Sequence, residues 1–166
     1  RRQRQMCIRD RLFEGLAISR HSDICEKHQN KYPVVFISLK GAAGNSFEDA
    51  KARIRAIMSA EAIRHSYLKN SDKLEESEKK YLLKLMNCIL EPMDITDSLA
   101  ILTSLLCKHY NRKVILLVDE YDVPLDKAFL NGYYNDMVGF IRTFLGGALK
   151  TNDNTESVSY THLTLP

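Results

Sequence analysis

Three carboxylates stand within four residues at the end of an apolar stretch. Val114-Ile-Leu-Leu-Val118 is uninterrupted by polar residues, and Asp119, Glu120 and Asp122 follow it directly. Carboxylate oxygens are the ligands that Mg²⁺ prefers, and the metal keeps part of its hydration. A neighbouring carboxylate can orient a water molecule for attack on a phosphate. The spacing therefore predicts a Walker B element, although carboxylates that only keep a strand end hydrated are the alternative.

In this interpretation the two adjacent carboxylates have different tasks. Asp119 holds Mg²⁺ through a bound water, and Glu120, on the opposite side of the pleat, orients the attacking water. We expect no chemistry from Tyr121 or Asp122 beyond hydrogen bonds that support the site.

The apolar run itself predicts a buried strand. It shows no alternation, which is typical of a central strand in a parallel sheet that helices cover on both faces. Five residues are too few for a buried helix, and Pro124 prevents a continuation. In open parallel sheets, ligands bind beyond the carboxyl ends of the strands, which is where the carboxylates stand.

A second strand is predicted over residues 34–39, Val-Val-Phe-Ile-Ser-Leu, with Pro33 at its start where a missing N–H does least harm. Because helical segments separate the two strands, we expect 34–39 and 114–119 to lie parallel in one sheet. Apolar spacing predicts helices over about 23–28, 47–68, 75–90, 97–111, 124–130 and 133–150. Ser46 with Asp49 predicts a helix N-cap, Asn111 predicts a C-cap, and residues 151–155 read as a polar turn.

Two other motifs fail on their context. The glycine-containing loop Gly41–Ser46 follows a strand, but a phosphate-binding loop needs GxxxxGK[ST], and Asn45 stands where the lysine is required. No such motif occurs in the 166 residues, so we assign no residue to phosphate binding. Glu78-Lys79-Lys80 matches half of a nuclease motif, but it lies on the solvated face of a predicted helix.

The two ends of the chain are related through their codons. Reversing and complementing GAC for Asp10 gives GTC for Val158, and the pairing continues without mismatch to Arg2 and Pro166. Inverted copies of one short DNA are typical of a sequencing adapter read as coding sequence, and such segments stand outside fold reasoning. We therefore expect residues 1–11 and 158–166 to be adapter-derived and 12–157 to be a partial domain; a biological basic arm followed by a C-terminal strand is the alternative.

Removing these ends changes the charge balance. The whole chain has 24 basic and 21 acidic residues; without the five arginines and one aspartate of residues 1–11 the numbers become 19 and 20. The apparent basicity therefore supplies no argument for nucleic-acid binding. Cys25, Cys88 and Cys107 are far apart without a CxxC pair, no apolar run is long enough for a membrane span, and a reducing cytoplasm is the default expectation.

Taken together, four segments resemble the bacterial AAA-ATPase-like family. They are 31–39, 71–74, 113–125 with its VDEYDVPL block, and 131–150. The resemblance implies an α/β fold, namely a fragment of a P-loop NTPase with a parallel sheet flanked by helices. It implies ATP as ligand, Asp119 as the Mg²⁺-associated carboxylate and Glu120 as the catalytic glutamate.

The resemblance also implies parts that these residues do not contain. The family's Walker A loop precedes the matching segment, so we expect the intact parent to hydrolyse ATP with Mg²⁺ and this fragment alone to be inactive. Members often carry a nuclease-like domain of the PD-(D/E)XK type further on. A non-hydrolysing NTPase-like scaffold, or a regulatory module for such a nuclease-like domain, therefore remains the alternative.

Overall fold

The computed structural model describes residues 14–89, 95–149 and 155–157. The terminal segments assigned to the adapter, the last residue of each of the predicted helices 75–90 and 133–150, and most of the predicted polar turn lie outside these residues. The chain forms two compact units that divide between Pro33 and Val34.

The first unit contains one short helix among its described residues 14–33. A 3₁₀ turn, Ala17–Arg20, precedes α1, Ser22–His28, close to the predicted range. The Cys25 thiol donates to the Ile18 carbonyl at 3.4 Å, and the rings of His28 and Tyr32 stack with centroids 6.0 Å apart.

The second unit alternates strands and helices, which confirms the predicted α/β class. Its elements in order are β1 Val34–Ser38, α2 Phe47–Arg64, α3 Glu76–Met86, α4 Ser98–Tyr110, β2 Val114–Asp119, α5 Val123–Leu130, α6 Tyr134–Leu149 and β3 Thr155–Ser157. Short 3₁₀ segments, Leu39–Ala42 and Ser66–Asn70, follow β1 and α2. No helix in the described ranges combines the length and the apolarity needed to cross a bilayer.

The three strands form one parallel sheet in the order β1-β2-β3. The predicted parallel pairing of the first two strands is confirmed, with Val34 opposite Ile115 and Ser38 opposite Asp119. β3 was not predicted. Thr155 belongs to this strand rather than to a turn, and it pairs with Val114. Three residues that all carry polar side chains give no hydrophobic pattern, so only pairing with β2 reveals the strand.

The two faces of β2 are covered unequally within the described residues. Val35 and Leu116 are buried register partners on the face that meets the core. On the opposite face, Phe36 is 44% exposed and its partner Leu117 is only half-buried. The core that contains Val35 and Leu116 also includes side chains from α2, α3, α4 and α6. The uninterrupted apolar run of β2 therefore contains fully buried residues on one face only.

Two predicted helix caps are present. The Ser46 hydroxyl accepts from the Asp49 N–H at 3.2 Å, and Asn111 ends α4 with a left-handed φ of 52°. The reciprocal bond differs from the predicted capping box, because the Asp49 carboxylate accepts from the Asn45 N–H at 3.0 Å. That N–H and the Arg53 side chain together hold the pKa of Asp49 below its usual value.

Candidate functional site

The carboxyl ends of β1 and β2 lie level with each other. Ser38, the last residue of β1, is the register partner of Asp119, the last residue of β2. Asp119 is exposed, and its carboxylate has no hydrogen bond or ion pair within the described part of the chain. An exposed carboxylate at this edge has both oxygens available to a ligand or to water.

Glu120 lies just beyond the strand and has an unusual backbone. Its φ is +50°, in the left-handed region, where a residue with a Cβ is strained. The expectation that Glu120 stands on the opposite side of the pleat from Asp119 is therefore wrong, because the pleat ends at Asp119. The left-handed residue turns the chain out of the sheet, and α5 begins three residues later at Val123.

A lysine from the neighbouring strand end reaches the same place. Lys40 lies in the 3₁₀ segment after β1, and its Nζ is 3.9 Å from Oε1 of Glu120. The Ser38 hydroxyl accepts from the Lys40 N–H at 3.5 Å and helps to fix the start of this segment. Lys40 was not predicted to lie at this edge. The signal was available, since residues that follow neighbouring parallel strands meet at one edge.

Tyr121 and Asp122, which follow the acidic pair, have contacts that support the fold. Tyr121 is half-buried and packs against the core. Asp122 is exposed at the residue before α5, and its carbonyl accepts from the N–H groups of Leu125 at 2.9 Å and Asp126 at 3.0 Å. These contacts start α5 directly after the Asp119–Glu120 pair.

The glycine loop between β1 and α2 has a packing role. A Cβ at Gly44 would collide with the backbone of Ala50, and the Gly44 carbonyl accepts from the buried Tyr133 hydroxyl at 2.6 Å. Burial raises the pKa of Tyr133, although its hydrogen bond to Gly44 acts in the opposite direction. The loop is thus anchored to the residue before α6, and the predicted cap at Ser46 accounts for its last residue.

A second glutamate lies beside β1, at its lateral edge. Glu61 of α2 is 4% exposed, and its Oε1 accepts from the Phe36 N–H at 3.1 Å. The His65 Nε2 lies 3.2 Å from the same oxygen, and an Arg64 nitrogen donates to Oε2 at 2.7 Å. Burial alone would raise the pKa of Glu61, but the bonds from His65 and Phe36 and the charge of Arg64 outweigh it, and the pKa is lowered. Glu61 therefore closes the free edge of β1, where an unpaired N–H would invite another strand.

A concave region apart from the acidic pair lies between two helices. This groove, about 470 Å³, is lined mainly by α2 and α6 residues such as Phe47, Lys51, Asn135 and Asp136. Over the described ranges, no group of three or more His, Cys, Asp or Glu side chains is arranged around a common metal position. A Mg²⁺ site needs fewer protein ligands, since one or two carboxylates with water and phosphate are sufficient.

A parallel sheet, crossover helices and polar residues at the carboxyl edge define an α/β protein of the kind that binds ligands at that edge. The chain matches the AAA-ATPase-like family model, described as a predicted AAA-ATPase, over residues 3–164, and it belongs to that family. No curated protein and no solved structure matches the chain. The family is consistent with a nucleotide as the ligand, and the resemblance found in the sequence is confirmed.

Proposed function

We propose that this domain contributes the Walker B carboxylates of a Mg²⁺-dependent ATPase. Asp119 holds the metal through water, and Glu120 orients the water that attacks the γ-phosphate. The observation that carries the proposal is an exposed Asp-Glu pair at the carboxyl end of β2 in a chain of the AAA-ATPase-like family. The proposal assigns no residue of this chain to phosphate binding, because no GxxxxGK[ST] motif occurs in its sequence.

The donor set fits the cation. Mg²⁺ binds through one or two carboxylates and keeps several waters, and Asp119 offers a carboxylate without a protein partner among the described residues. When bound, the metal neutralises charge that develops on the phosphate oxygens. The half-buried position of Glu120 leaves its carboxylate in contact with solvent, so it can accept a hydrogen bond from a water molecule.

The chain's own residues supply positioning and not a covalent step. In phosphoryl transfer, catalysis comes from holding the nucleophile in line and from electrostatic stabilisation of the charge. Glu120 contributes the first of these, and its strained backbone supports a functional position, since strained residues cluster at active sites. Glu61 is buried and its oxygens already accept hydrogen bonds, so it contributes neither positioning of the nucleophile nor electrostatic stabilisation.

The test uses the complete protein that contains this domain. Glu120→Gln keeps the size of the side chain but weakens it as a proton acceptor, so steady-state ATP turnover should fall by about 10²- to 10⁴-fold. ATP binding, measured by titration with a fluorescent ATP analogue, should be retained. Asp119→Asn should instead weaken Mg²⁺ binding, so that a higher Mg²⁺ concentration is needed for half-maximal ATP binding and turnover.

The control is Asp126→Asn, which makes the same chemical change on an α5 residue in the first turn of that helix. Turnover unchanged by Glu120→Gln would remove Glu120 from its role. Wild-type protein that binds ATP without turnover would favour the non-hydrolysing scaffold, or the module that regulates an attached nuclease-like domain.

A further inference from the structure

Three large apolar side chains are exposed together where α5 ends and α6 begins. Leu130 is 77% exposed and Phe129 is 71% exposed, which makes them the two most exposed large apolar side chains in the described part of the chain. The ring of Tyr134, 43% exposed, meets the Phe129 ring edge-on, with the centroids 5.9 Å apart. These three side chains form the α5 patch. Apolar side chains grouped on a surface in this way are typical of a contact with another protein.

The groove between α2 and α6 begins beside the α5 patch. Asn135 lines the groove and directly follows Tyr134 of the patch. The rings of Phe47 and Phe140 form an apolar wall, with their centroids 6.3 Å apart. A volume of about 470 Å³ lies within the range of about 300–1,000 Å³ that is usual for sites that enclose a ligand or a side chain. Patch and groove therefore lie next to each other on one surface.

Gly139 keeps the groove open at the backbone of α6. It lies inside the helix and lines the groove, and a Cβ built on it would meet no atom within 4 Å. Neither a positive φ nor a close packing contact requires glycine at this position, although glycine destabilises a helix interior relative to alanine. A large side chain from another molecule can therefore approach the α6 backbone closely at Gly139.

The charges beside the patch and at the groove are opposite. Lys127 lies on α5 one turn before Leu130, and Asp136 lies at the rim of the groove. Neither side chain has an ion pair among the described residues. Lys51, the cation that lines the groove, is already paired with Glu48 at 3.0 Å. A copy of the chain that places its Leu130 in the groove of another copy also brings an unpaired lysine towards an unpaired aspartate.

We propose that the α5 patch and the α2–α6 groove form the interface of a homodimer. Phe129 and Leu130 of each copy insert into the groove of the other, Tyr134 covers the rim, and a two-fold axis relates the two contacts. Because patch and groove lie side by side, both insertions form in one closed dimer. Aromatic side chains bury about 150–250 Å² each, so two reciprocal insertions with the walls that cover them reach the roughly 1,000 Å² of a specific interface.

The interface includes neither Asp119 nor Glu120, so it stands independently of the proposed ATPase function. It is tested on the complete protein by sedimentation equilibrium without nucleotide, over about 1–100 µM, the range in which a moderate dimer dissociates. The double substitution Phe129→Gln, Leu130→Gln removes the inserted side chains, and Gly139→Gln fills the groove. Each should raise the Kd of the wild-type dimer by at least about tenfold.

Two control variants make the same chemical changes elsewhere on the surface. Ile63→Gln replaces an apolar side chain of α2 that is 51% exposed and lies outside the patch. Gly146→Gln replaces a second α6 glycine at which an added Cβ would meet no atom within 4 Å, and which does not line the groove. Both should dimerise like wild type. Thermal denaturation checks that all variants are folded, which the exposure of the substituted positions favours.

Mixing the two interface variants separates this contact from any other. The doubly substituted chain has no side chains to insert, and Gly139→Gln has no open groove to receive them, so each should be monomeric alone. In an equimolar mixture, the patch of Gly139→Gln enters the groove of the doubly substituted chain and restores one of the two contacts. The mixture should therefore contain a heterodimer that is weaker than the wild-type dimer.

Several outcomes would overturn the proposal. Wild-type protein that stays monomeric at about 100 µM would remove the dimer. Unchanged association in either interface variant would show that the patch does not enter the groove. Equal losses in the control variants would show that the contact is not specific to this surface. Two monomeric variants that do not associate on mixing would contradict the pairing of patch with groove.

Discussion

Two glutamates lie close to β1 and meet opposite environments. Glu61, at the lateral edge, is 4% exposed and its two oxygens receive contacts from Phe36, Arg64 and His65. Glu120, at the carboxyl edge, is half-buried, and its one ion pair within the described residues spans 3.9 Å. The same functional group therefore stabilises the fold at one edge of the sheet and remains available to a ligand at the other.

The difference follows from what each edge requires. A lateral strand edge presents backbone N–H groups that need acceptors. The oxygens of a carboxylate placed there are therefore occupied by hydrogen bonds. The carboxyl edge of a parallel sheet is open to ligands, so a carboxylate placed there keeps free lone pairs. The number of hydrogen-bond partners and the burial of the carboxylate, rather than the residue type, distinguish the structural glutamate from the candidate catalytic one.

Replacing Glu61 should have the largest effect on stability. Glu61→Ala leaves the Phe36 N–H without its acceptor and removes the partner of Arg64, so the free energy of unfolding should fall by about 2–3 kcal/mol. Urea denaturation followed by circular dichroism measures this. Glu48→Ala is the control, since among the described residues Glu48 pairs only with Lys51, on the surface, and its loss should cost less than about 0.5 kcal/mol. A loss at Glu61 as small as at Glu48 would contradict the assigned role.

Acidification should remove part of the Glu61 contribution. The folded-state pKa of Glu61 lies below the ordinary value of 4.5, so its stabilisation is present above that pH and is lost as the pH falls through the folded pKa. The difference in unfolding free energy between wild type and Glu61→Gln should therefore be constant near neutrality and narrow below about pH 4.5. Denaturation curves between pH 3 and 7 (about the range in which carboxyl groups titrate) test this. If the difference in unfolding free energy widened on acidification, the pKa of Glu61 would be raised in the folded state and not lowered.

A smaller effect is expected from the backbone of Glu120. Glycine adopts a positive φ without strain, so Glu120→Gly should raise the free energy of unfolding by about 0.5–1 kcal/mol despite the greater freedom of the unfolded chain. Glu120→Ala keeps the Cβ and should give no such gain. Thermal denaturation of the two variants side by side makes the comparison. Equal stabilities would indicate that the left-handed conformation carries no strain.

The sequence revealed those features that depend on local pattern. The apolar run before Asp119 predicted β2 with its bounds, and Ser46 and Asn111 predicted two caps, because these signals need only nearby residues. The sequence did not reveal the left-handed Glu120, since glutamate has no preference for that conformation. Nor did it reveal β3, whose three residues become a strand only through pairing.

The helical spacing around Glu61 indicated its burial, although this contact with β1 was not predicted. Residues 54, 58 and 61 fall on one face of α2, and His65, the residue directly after the helix, continues the stripe of the buried Ile54 and Met58. A carboxylate and an imidazole on an apolar stripe predict a buried polar contact. The identity of the partner, the N–H of Phe36, required the packing of α2 against β1.

The most direct test applies one chemical change at both edges of the sheet. In the complete protein, Glu120→Gln and Glu61→Gln should give opposite results in ATP turnover and in the free energy of unfolding. Glu120→Gln should lower turnover by about 10²- to 10⁴-fold with stability within about 0.5 kcal/mol of wild type. Glu61→Gln should lower stability by about 1 kcal/mol or more and retain turnover wherever the protein is folded. Wild-type turnover in Glu120→Gln, or lost turnover in a fully folded Glu61→Gln, would contradict the assignment of the two glutamates.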